Sequence, residues 1–270
     1  MESVAVGDLD IALGNSTYEV ITWRNDGTPF SGLWTRNNMK TADLVQAIAV
    51  GDLDHDGDLD LVSGSNTGAD YEVMAWRNIG GSVSEDTTAT APAEVASGQR
   101  DDLLRVVATH NGIAGDNDLE LVQWNLLFEE TSGDPLNSAE ANNLIENLYA
   151  YYPADDTWEP IDTVVTTTAT LSLSGGVQTV SFADGDTNAQ VPATTSRTYF
   201  VVVQLTGDAS AQTPNSFQVT FDPDADSLAE DRTEDASVSI EDTDPVSTGA
   251  VEAVEWWYIY LPVVLNNYGT

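Results

Sequence analysis

The sequence contains no cysteine among its 270 residues. Disulfide bonds and thiolate chemistry are therefore excluded. The abundant donor groups are carboxylate oxygens, which are hard ligands, and this argues against a zinc or copper site.

Basic residues are scarce as well. The chain has 8 Lys and Arg against 45 Asp and Glu, which gives a formal net charge of −37, and Lys40 is its single lysine. Such a negative field repels nucleic acid and anionic lipid and attracts divalent cations. We therefore expect no binding to nucleic acid or to a membrane surface. An acidic surface of the halophilic kind is the alternative explanation of the same composition.

Catalytic signatures are also missing. The sequence has no G-x-S-x-G elbow, no H-E-x-x-H pair and no phosphate-binding glycine loop, and His55 and His110 are its only histidines. Two carboxylates are enough for a glycosidase, but no pair among the acids stands out. We therefore expect that the protein is not an enzyme.

A repeat occupies the first 82 residues. Residues 4–28 read VAVGDLDIALGNSTYEVITWRNDGT, and residues 48–81 read IAVGDLDHDGDLDLVSGSNTGADYEVMAWRNIGG. Both copies contain AVGDLD, an aliphatic strand that ends in glycine, and a YEV–W–RN strand. The side chains of this strand are expected to alternate between two faces, so that Val73 and Ala75 lie opposite Met74 and Trp76. The second copy is longer by six residues at the acidic loop and by three before Tyr71. This period fits one blade-sized β unit of a propeller.

These blocks resemble FG-GAP/VCBS-type repeats, the calcium-loop blades of integrin-α-like propellers and of many secreted bacterial surface proteins. The resemblance implies propeller-like β units, bound calcium and an extracellular or cell-surface location. A propeller closes with about 4–8 blades. Two units are therefore expected either to belong to a longer chain or to bury their open faces against another domain or subunit.

The stretch GDLDHDGDLDLVSG at residues 51–64 has an aspartate at every second position of its loop, with Gly57 at the sixth loop position. This is the spacing of an EF-hand loop, although Ser63 stands where the bidentate glutamate would be. Strand alternation directs Leu61 to the packed face and turns the preceding aspartate back toward the loop. We predict Ca²⁺ bound by side-chain oxygens of Asp52, Asp54, Asp56 and Asp60 and by the backbone carbonyl of Asp58. A solvated acidic turn is the alternative.

The first copy keeps only Asp8 and Asp10 and has lost the glycine, so we predict that it binds no metal. A weaker candidate lies in FDPDADSLAE at residues 221–230, where Ser227 replaces the glycine. Its acids would be Asp222, Asp224, Asp226 and Glu230, and a charged hairpin loop is the alternative. The short runs at 115–120 and 183–186 are interpreted as turns.

The rest of the chain predicts a β-sandwich. Seven or eight short β-type runs, separated by turn residues, follow from Asp101 and are typical of an immunoglobulin-like sandwich. TYFVVVQL is apolar on both faces, which places it in the centre of a sheet. A short helix is predicted because Asn137 and Glu140 can form a capping box and an apolar stripe follows at Ala141, Leu144, Ile145 and Leu148.

The predicted fold class is therefore all-β: two propeller-like repeat units, then an immunoglobulin-like sandwich with one short helix and a C-terminal apolar strand. Five segments are assigned: repeat units at 1–82, a linker at 83–100, the sandwich at 101–241, a linker at 242–252 and an apolar tail at 253–270. The tail contains WWYIYLPVVL at 256–265, which is too short to span a bilayer that needs about 20 residues. It is interpreted as a strand of its own domain, as a strand donated to a neighbouring subunit or as a sorting signal.

These features favour a secreted, calcium-binding structural or adhesive protein of the cell surface, which forms a homo-oligomer or polymer such as a fibre or sheath through its C-terminal strand. The alternative is a polysaccharide-binding accessory module of a secreted hydrolase. That module would bind through exposed aromatic side chains, for which the candidates are Trp34, Trp158, Trp256 and Trp257.

Overall fold

The structure is a computed structural model. It describes residues 3–7, 10–14, 19–25, 34–41, 45–51, 53, 60–66, 71–76, 81–233, 235–241 and 244–255. Strands dominate these ranges, and the predicted all-β class is confirmed. None of the helices there has the length and hydrophobicity needed to cross a bilayer.

The repeat region forms two antiparallel sheets. The first is a four-stranded meander and the second has three strands. The seven strands are β1 (Ser3–Gly7), β2 (Asp10–Gly14), β3 (Glu19–Asn25), β4 (Trp34–Thr41), β5 (Val45–Gly51), β6 (Asp60–Asn66) and β7 (Tyr71–Trp76). Strand β5 lies beside β1 and β2. A four-stranded antiparallel meander is the architecture of one propeller blade.

The second sheet buries one of its faces. Met74 and Trp76 pack against Val45 and Leu61, whereas Val73 on the opposite face is 77 % exposed. Successive side chains of a strand point to opposite faces, and the alternation predicted for this strand is confirmed.

The sandwich begins directly after the repeat region. Its strands are β8 (Val83–Ala89), β9 (Glu94–Ala96), β10 (Arg100–His110), β11 (Leu119–Glu129), β12 (Ile145–Tyr152), β13 (Thr163–Thr168), β14 (Val177–Ser181), β15 (Gln190–Val191), β16 (Ser196–Leu205), β17 (Ser216–Phe221), β18 (Ser227–Asp231), β19 (Ala236–Ser237), β20 (Val246–Ser247) and β21 (Val251–Val254). Two short helices, α1 (Ser138–Leu144) and α2 (Pro223–Asp226), and a 3-10 turn (Ala209–Ala211) join them.

The strands form two sheets. One is antiparallel with the order β13-β12-β16-β10-β8, and the other follows β19-β18-β11-β17-β21-β9, with β14 and β15 paired to β11 and β20 to β17. Strand β16 lies in the middle of the first sheet, which confirms the central position predicted for TYFVVVQL. Its side chains alternate as expected, because Tyr199 and Val201 face the main core while Phe200 and Val202 form a second apolar cluster.

The main core lies between the two sheets, and Trp124 is fully buried within it. Its ring meets those of Phe182, Tyr199 and Phe221 at centroid distances of 4.8, 5.9 and 5.7 Å. Such pairs add about 0.5–1.5 kcal/mol each beyond their buried area. This aromatic centre joins β11 to strands of both sheets.

The predicted helix is present but shorter than its apolar stripe. The Asn137 side chain accepts hydrogen bonds from the backbone of residues 139 and 140, and the Glu140 carboxylate accepts one from the Asn137 backbone, so the capping box is confirmed. The helix ends at Leu144, and Ile145 and Leu148 belong to β12 instead. The two residues still face the core, because a strand can continue an apolar face that a helix begins.

The predicted linker at 83–100 is wrong. It contains β8, which pairs with β10, and β9, which pairs in parallel with β21. The sequence there looked polar because β8 is an edge strand whose inward side chains are Val83 and Glu85. One of the two inward residues is an acid, so the usual apolar alternation is absent.

The second predicted linker, at 242–252, also belongs to the sandwich. It contains β20 and the start of β21, which pairs with β17 and β9. Val251 and Ala253 are buried in the main core, so the domain extends to residue 254. The apolar segment at 256–265 lies outside the described residues.

Candidate metal-binding site

Asp60 is the predicted calcium ligand that lies within the described ranges. It begins β6 and pairs with Gly51 at the end of β5, so the aspartate loop connects two hydrogen-bonded strands. Its side chain is 1 % exposed, and its Oδ2 accepts a hydrogen bond from the Leu53 backbone N–H at 2.9 Å. The carboxylate is therefore turned into the loop, while the next residue, Leu61, is buried in the sheet face.

The other predicted ligands, Asp52, Asp54, Asp56 and Asp58, lie outside the described residues, as does Asp8 of the first copy. Their coordination of calcium stays a prediction. The donor set fits the ion, because every predicted ligand atom is an oxygen. Burying a carboxylate is costly unless its charge is compensated, and a divalent cation in this loop would supply such compensation at Asp60.

The weaker candidate at 221–230 does not assemble as its spacing predicted. Pro223–Asp226 forms one helical turn, in which the Asp226 backbone N–H donates to the Asp222 carbonyl at 2.8 Å. Glu230 then lies on β18, opposite Glu120 of β11. The helical turn followed by an extended strand separates Glu230 from the preceding acids. The four acids of this weaker candidate therefore do not form one site, because strand pairing, rather than loop spacing, positions Glu230.

Glu230 belongs instead to a cluster with Asp184 and Asp235, and carboxylate oxygens of the three lie within 4.8 Å of one another. Partial burial, and then repulsion by Asp235, Glu120 and Asp184, raises the pKa of Glu230. Three hard oxygen donors at this spacing could hold a divalent cation. No local pattern in the sequence indicates the cluster, because its members are brought together by the β11–β18 pairing and by two loops.

Another acid is buried inside the sandwich, apart from this cluster. Glu85 on β8 is fully buried, and its Oε1 accepts a hydrogen bond from Trp124 Nε1 at 2.9 Å. Burial raises the pKa of Glu85 from 4.5 to about 7. Hydrogen bonding to Trp124 and, to a smaller extent, to the Ser227 hydroxyl acts in the opposite direction and lowers this pKa. No sequence pattern indicated this residue, because β8 had the composition of a linker.

Trp158 does not form an exposed aromatic platform. It is half-buried, and its ring meets that of Tyr151 edge-on, with centroids 5.9 Å apart and planes at 73°. It packs against the apolar cluster of Tyr149, Tyr151, Phe200 and Val202. The side chains of the other aromatic candidates, Trp34, Trp256 and Trp257, lie outside the described residues.

Three solved structures show weak similarity to the chain. A cohesin module of a family 33 glycoside hydrolase from Clostridium perfringens has 9 % identity and a TM-score of 0.28, with 65 % of this chain and 99 % of that chain covered. The N-terminal domain of the Streptococcus gordonii adhesin Sgo0707 has 14 % identity and a TM-score of 0.22, with 66 % and 34 % covered. The CupB6 tip adhesin from Pseudomonas aeruginosa has 11 % identity and a TM-score of 0.22, with 64 % and 52 % covered. Similarity at this level supports no inference about function.

The sequence comparisons are more specific. A search of curated proteins found no match. Residues 7–63, however, match the family model of the FG-GAP-like repeat. The matched range includes the aspartate loop and ends inside β6. The region from residue 7 to residue 63 is therefore similar to FG-GAP-like repeats, as the repeat in the sequence had indicated.

Proposed function

We propose that this chain is a calcium-binding structural or adhesive protein of the cell surface, and that it self-assembles into a fibre or sheath. The observation that carries the proposal is the FG-GAP-like region at 7–63, which includes the aspartate loop and the buried carboxylate of Asp60. Supporting observations are the oxygen-only donor set and the net charge of −37.

Calcium would act as a structural ion in this proposal. Five aspartates within nine residues repel one another, and a bound divalent cation converts that repulsion into attraction. Loops with an affinity of about 10⁻⁴–10⁻³ M are typical of extracellular modules. Such a loop is filled where calcium is millimolar, which fits a location outside the cell.

Terbium luminescence tests whether the aspartate loop of the second copy binds a metal ion and whether the first copy does not. Tb³⁺ replaces Ca²⁺ in oxygen-donor sites and is sensitised by nearby tryptophans. We expect a saturable signal from the full chain that excess calcium displaces. Asp54→Ala should abolish the signal because it removes a ligand, whereas Asp10→Ala in the first copy should leave it unchanged.

A signal that survives Asp54→Ala but is lost in Asp10→Ala would reverse the assignment of the two copies. No saturable signal in the full chain at millimolar terbium would contradict calcium binding by the loop. Asp224→Asn is a further control, because it removes one exposed acid from a segment that does not assemble into a site.

Self-assembly is the second part of the proposal. Its support is the segment 256–265, which is apolar throughout and directly follows the sandwich. A strand from one copy that pairs with the next copy makes a head-to-tail contact, which generates rings or open filaments. Any truncation that tests this should begin at residue 256, because Val251 and Ala253 are core residues.

The alternative function, polysaccharide binding, gains no support from the described aromatic side chains. Trp158 is packed edge-on against Tyr151, so its ring is not presented as a flat surface for a sugar. We therefore keep the structural or adhesive role as the proposed function.

A further inference from the structure

One edge of the sandwich lacks the features that usually protect a sheet edge. Strand β13 is the outermost strand of the five-stranded sheet and pairs with β12. Within the described part of the chain, no strand pairs with its other edge. Its sequence, TVVTTT, contains no charged residue and no proline. Free edges of native sheets are normally guarded by charge, proline or a covering element, because unpaired backbone groups recruit other strands.

Strand β14 (VQTVS) is also an uncharged outer strand, but its Val177 is half-buried and its Val180 is buried. The remaining outer strands carry charge or are only two residues long. Strand β8 carries Glu85 and Asp86, β9 carries Glu94, and β19 is only two residues long. Apolar side chains also lie exposed at the start of β13, since Ile161 is 87 % and Val164 is 43 % exposed. In a chain with 45 acidic residues, an uncharged edge with exposed apolar side chains is suited to contact with a partner.

The C-terminal segment has matching chemistry. Glu255 is the last charged residue, and the sequence continues as WWYIYLPVVLNNYGT. Pro262 cannot donate a backbone hydrogen bond and ends an uninterrupted pairing run. Six residues, 256–261, precede it, and β13 is also six residues long.

We propose that the outer edge of β13 accepts residues 256–261 of a second copy of this chain as an added strand. This inference rests on the proposed self-assembly and specifies its contact. The new backbone hydrogen bonds would supply affinity, and the aromatic and aliphatic side chains of the donor would cover Ile161 and Val164. Because both strands are uncharged, the contact brings no carboxylates together, although each copy carries a net charge of −37.

The position where the described chain ends favours a second copy over the chain's own β13. The Val254 carbonyl accepts a hydrogen bond from the Ser97 backbone N–H at 2.8 Å, which places the end of β21 close to the start of β10. From β10 the sheet order passes β16 and β12 before it reaches β13. These three strand spacings amount to about 14 Å.

One residue extends the chain by at most about 3.6 Å. A tail that returned to its own β13 would therefore need about four residues for the crossing, and Glu255 supplies one of them. The run before Pro262 would then be too short to pair along the whole of β13. A tail that enters another copy keeps all six residues for pairing.

Cross-linking between copies tests this contact, since the chain has no cysteine of its own. One copy carries Thr167→Cys, at an exposed position of β13. The second copy carries a single cysteine at one position from 256 to 261, and a longer affinity tag gives it a different mass, so that a heterodimer can be recognised on a gel. Neighbouring side chains of a strand point to opposite faces, so a subset of the six positions should form a disulfide-linked heterodimer on mild oxidation. Thr88→Cys, at an exposed position of the edge strand β8, is the matched control and should give only background linkage.

Light scattering on the same samples separates the possible failures. If the copies associate but Thr167→Cys links no better than Thr88→Cys, this contact is refuted and self-assembly by another surface stands. If the chain stays monomeric at millimolar calcium, the proposed self-assembly fails and this inference fails with it. If both cysteines on one chain link within a dilute monomer, the tail occupies its own sheet and the two-copy contact is wrong. Thr167→Lys should remove the high-mass species, whereas Thr88→Lys should not.

Discussion

Replacing Glu85 with glutamine is expected to raise the free energy of unfolding at pH 8 by roughly 3 kcal/mol. Glu85 is fully buried between the sheets, and burial raises its pKa from 4.5 to about 7. Above that pH the folded protein must keep a carboxylate in the core. Glutamine has the same shape, stays neutral and can still accept the hydrogen bond from Trp124 Nε1.

The effect should depend on pH in a defined direction. Between about pH 4.5 and 7 the folded chain holds a proton on Glu85 that the unfolded chain has released. The stability contributed by this group is therefore fully present below pH 4.5 and is lost as the pH rises to about 7. The difference between Glu85→Gln and the parent chain should be small at pH 5 and should reach its full value near pH 8.

Urea unfolding at both pH values measures this difference. Asp86→Asn is the matched control, because it removes one charge from the next residue of the same strand at an exposed position. A Glu85→Gln chain that gains no stability between pH 5 and pH 8 relative to the parent would show that the carboxyl group is not held in a buried environment.

Replacing Gly176 with alanine is expected to lower the free energy of unfolding by roughly 3 kcal/mol. Gly176 has a φ of +85°, and an added Cβ would lie 2.8 Å from Pro135 Cβ and 2.9 Å from both Leu127 Cδ1 and the Phe128 carbonyl oxygen. The ring of Pro135 and the strand backbone at Phe128 are rigid and cannot move aside easily. The Gly176 carbonyl also accepts a hydrogen bond from the Phe128 N–H, which fixes the turn against β11.

Gly175→Ala is the control for this prediction. Gly175 lies in the same turn with a φ of +60°, but an added Cβ there would meet no atom within 4 Å. Gly175→Ala should therefore lower the free energy of unfolding by only about 1 kcal/mol, which is the cost of placing a residue with a Cβ in the left-handed backbone region. Equal losses in thermal or urea unfolding for the two variants would mean that close packing at Gly176 contributes nothing.

The sequence predicted the features that depend on local patterns. The repeat, the alternation at Met74 and Trp76, the capping box at Asn137 and the central position of β16 each follow from neighbouring residues. The all-β class follows from many such short signals together. Immunoglobulin-like topology and calcium coordination remain predictions.

Sequence patterns did not predict the features that depend on pairing between strands distant in the chain. Strand β8 looked like a linker because one of its two inward side chains is Glu85, which accepts a hydrogen bond from the buried Trp124 of a strand distant in the chain. The grouping of Asp184 with Glu230 depends on how β18 pairs with β11. Neither feature has a local signature, because composition does not reveal which strand lies opposite another.

The central claim, that the aspartate loop binds calcium and thereby stabilises the repeat region, is tested most directly by scanning calorimetry with calcium and with a chelator. At millimolar calcium and an affinity of about 10⁻⁴ M, binding should add roughly 1–2 kcal/mol to stability. We expect a higher melting temperature in calcium for the parent chain and for Asp224→Ala, and no calcium-dependent shift for Asp56→Ala. A melting temperature that calcium leaves unchanged in the parent chain, or a shift that persists in Asp56→Ala, would contradict the proposal.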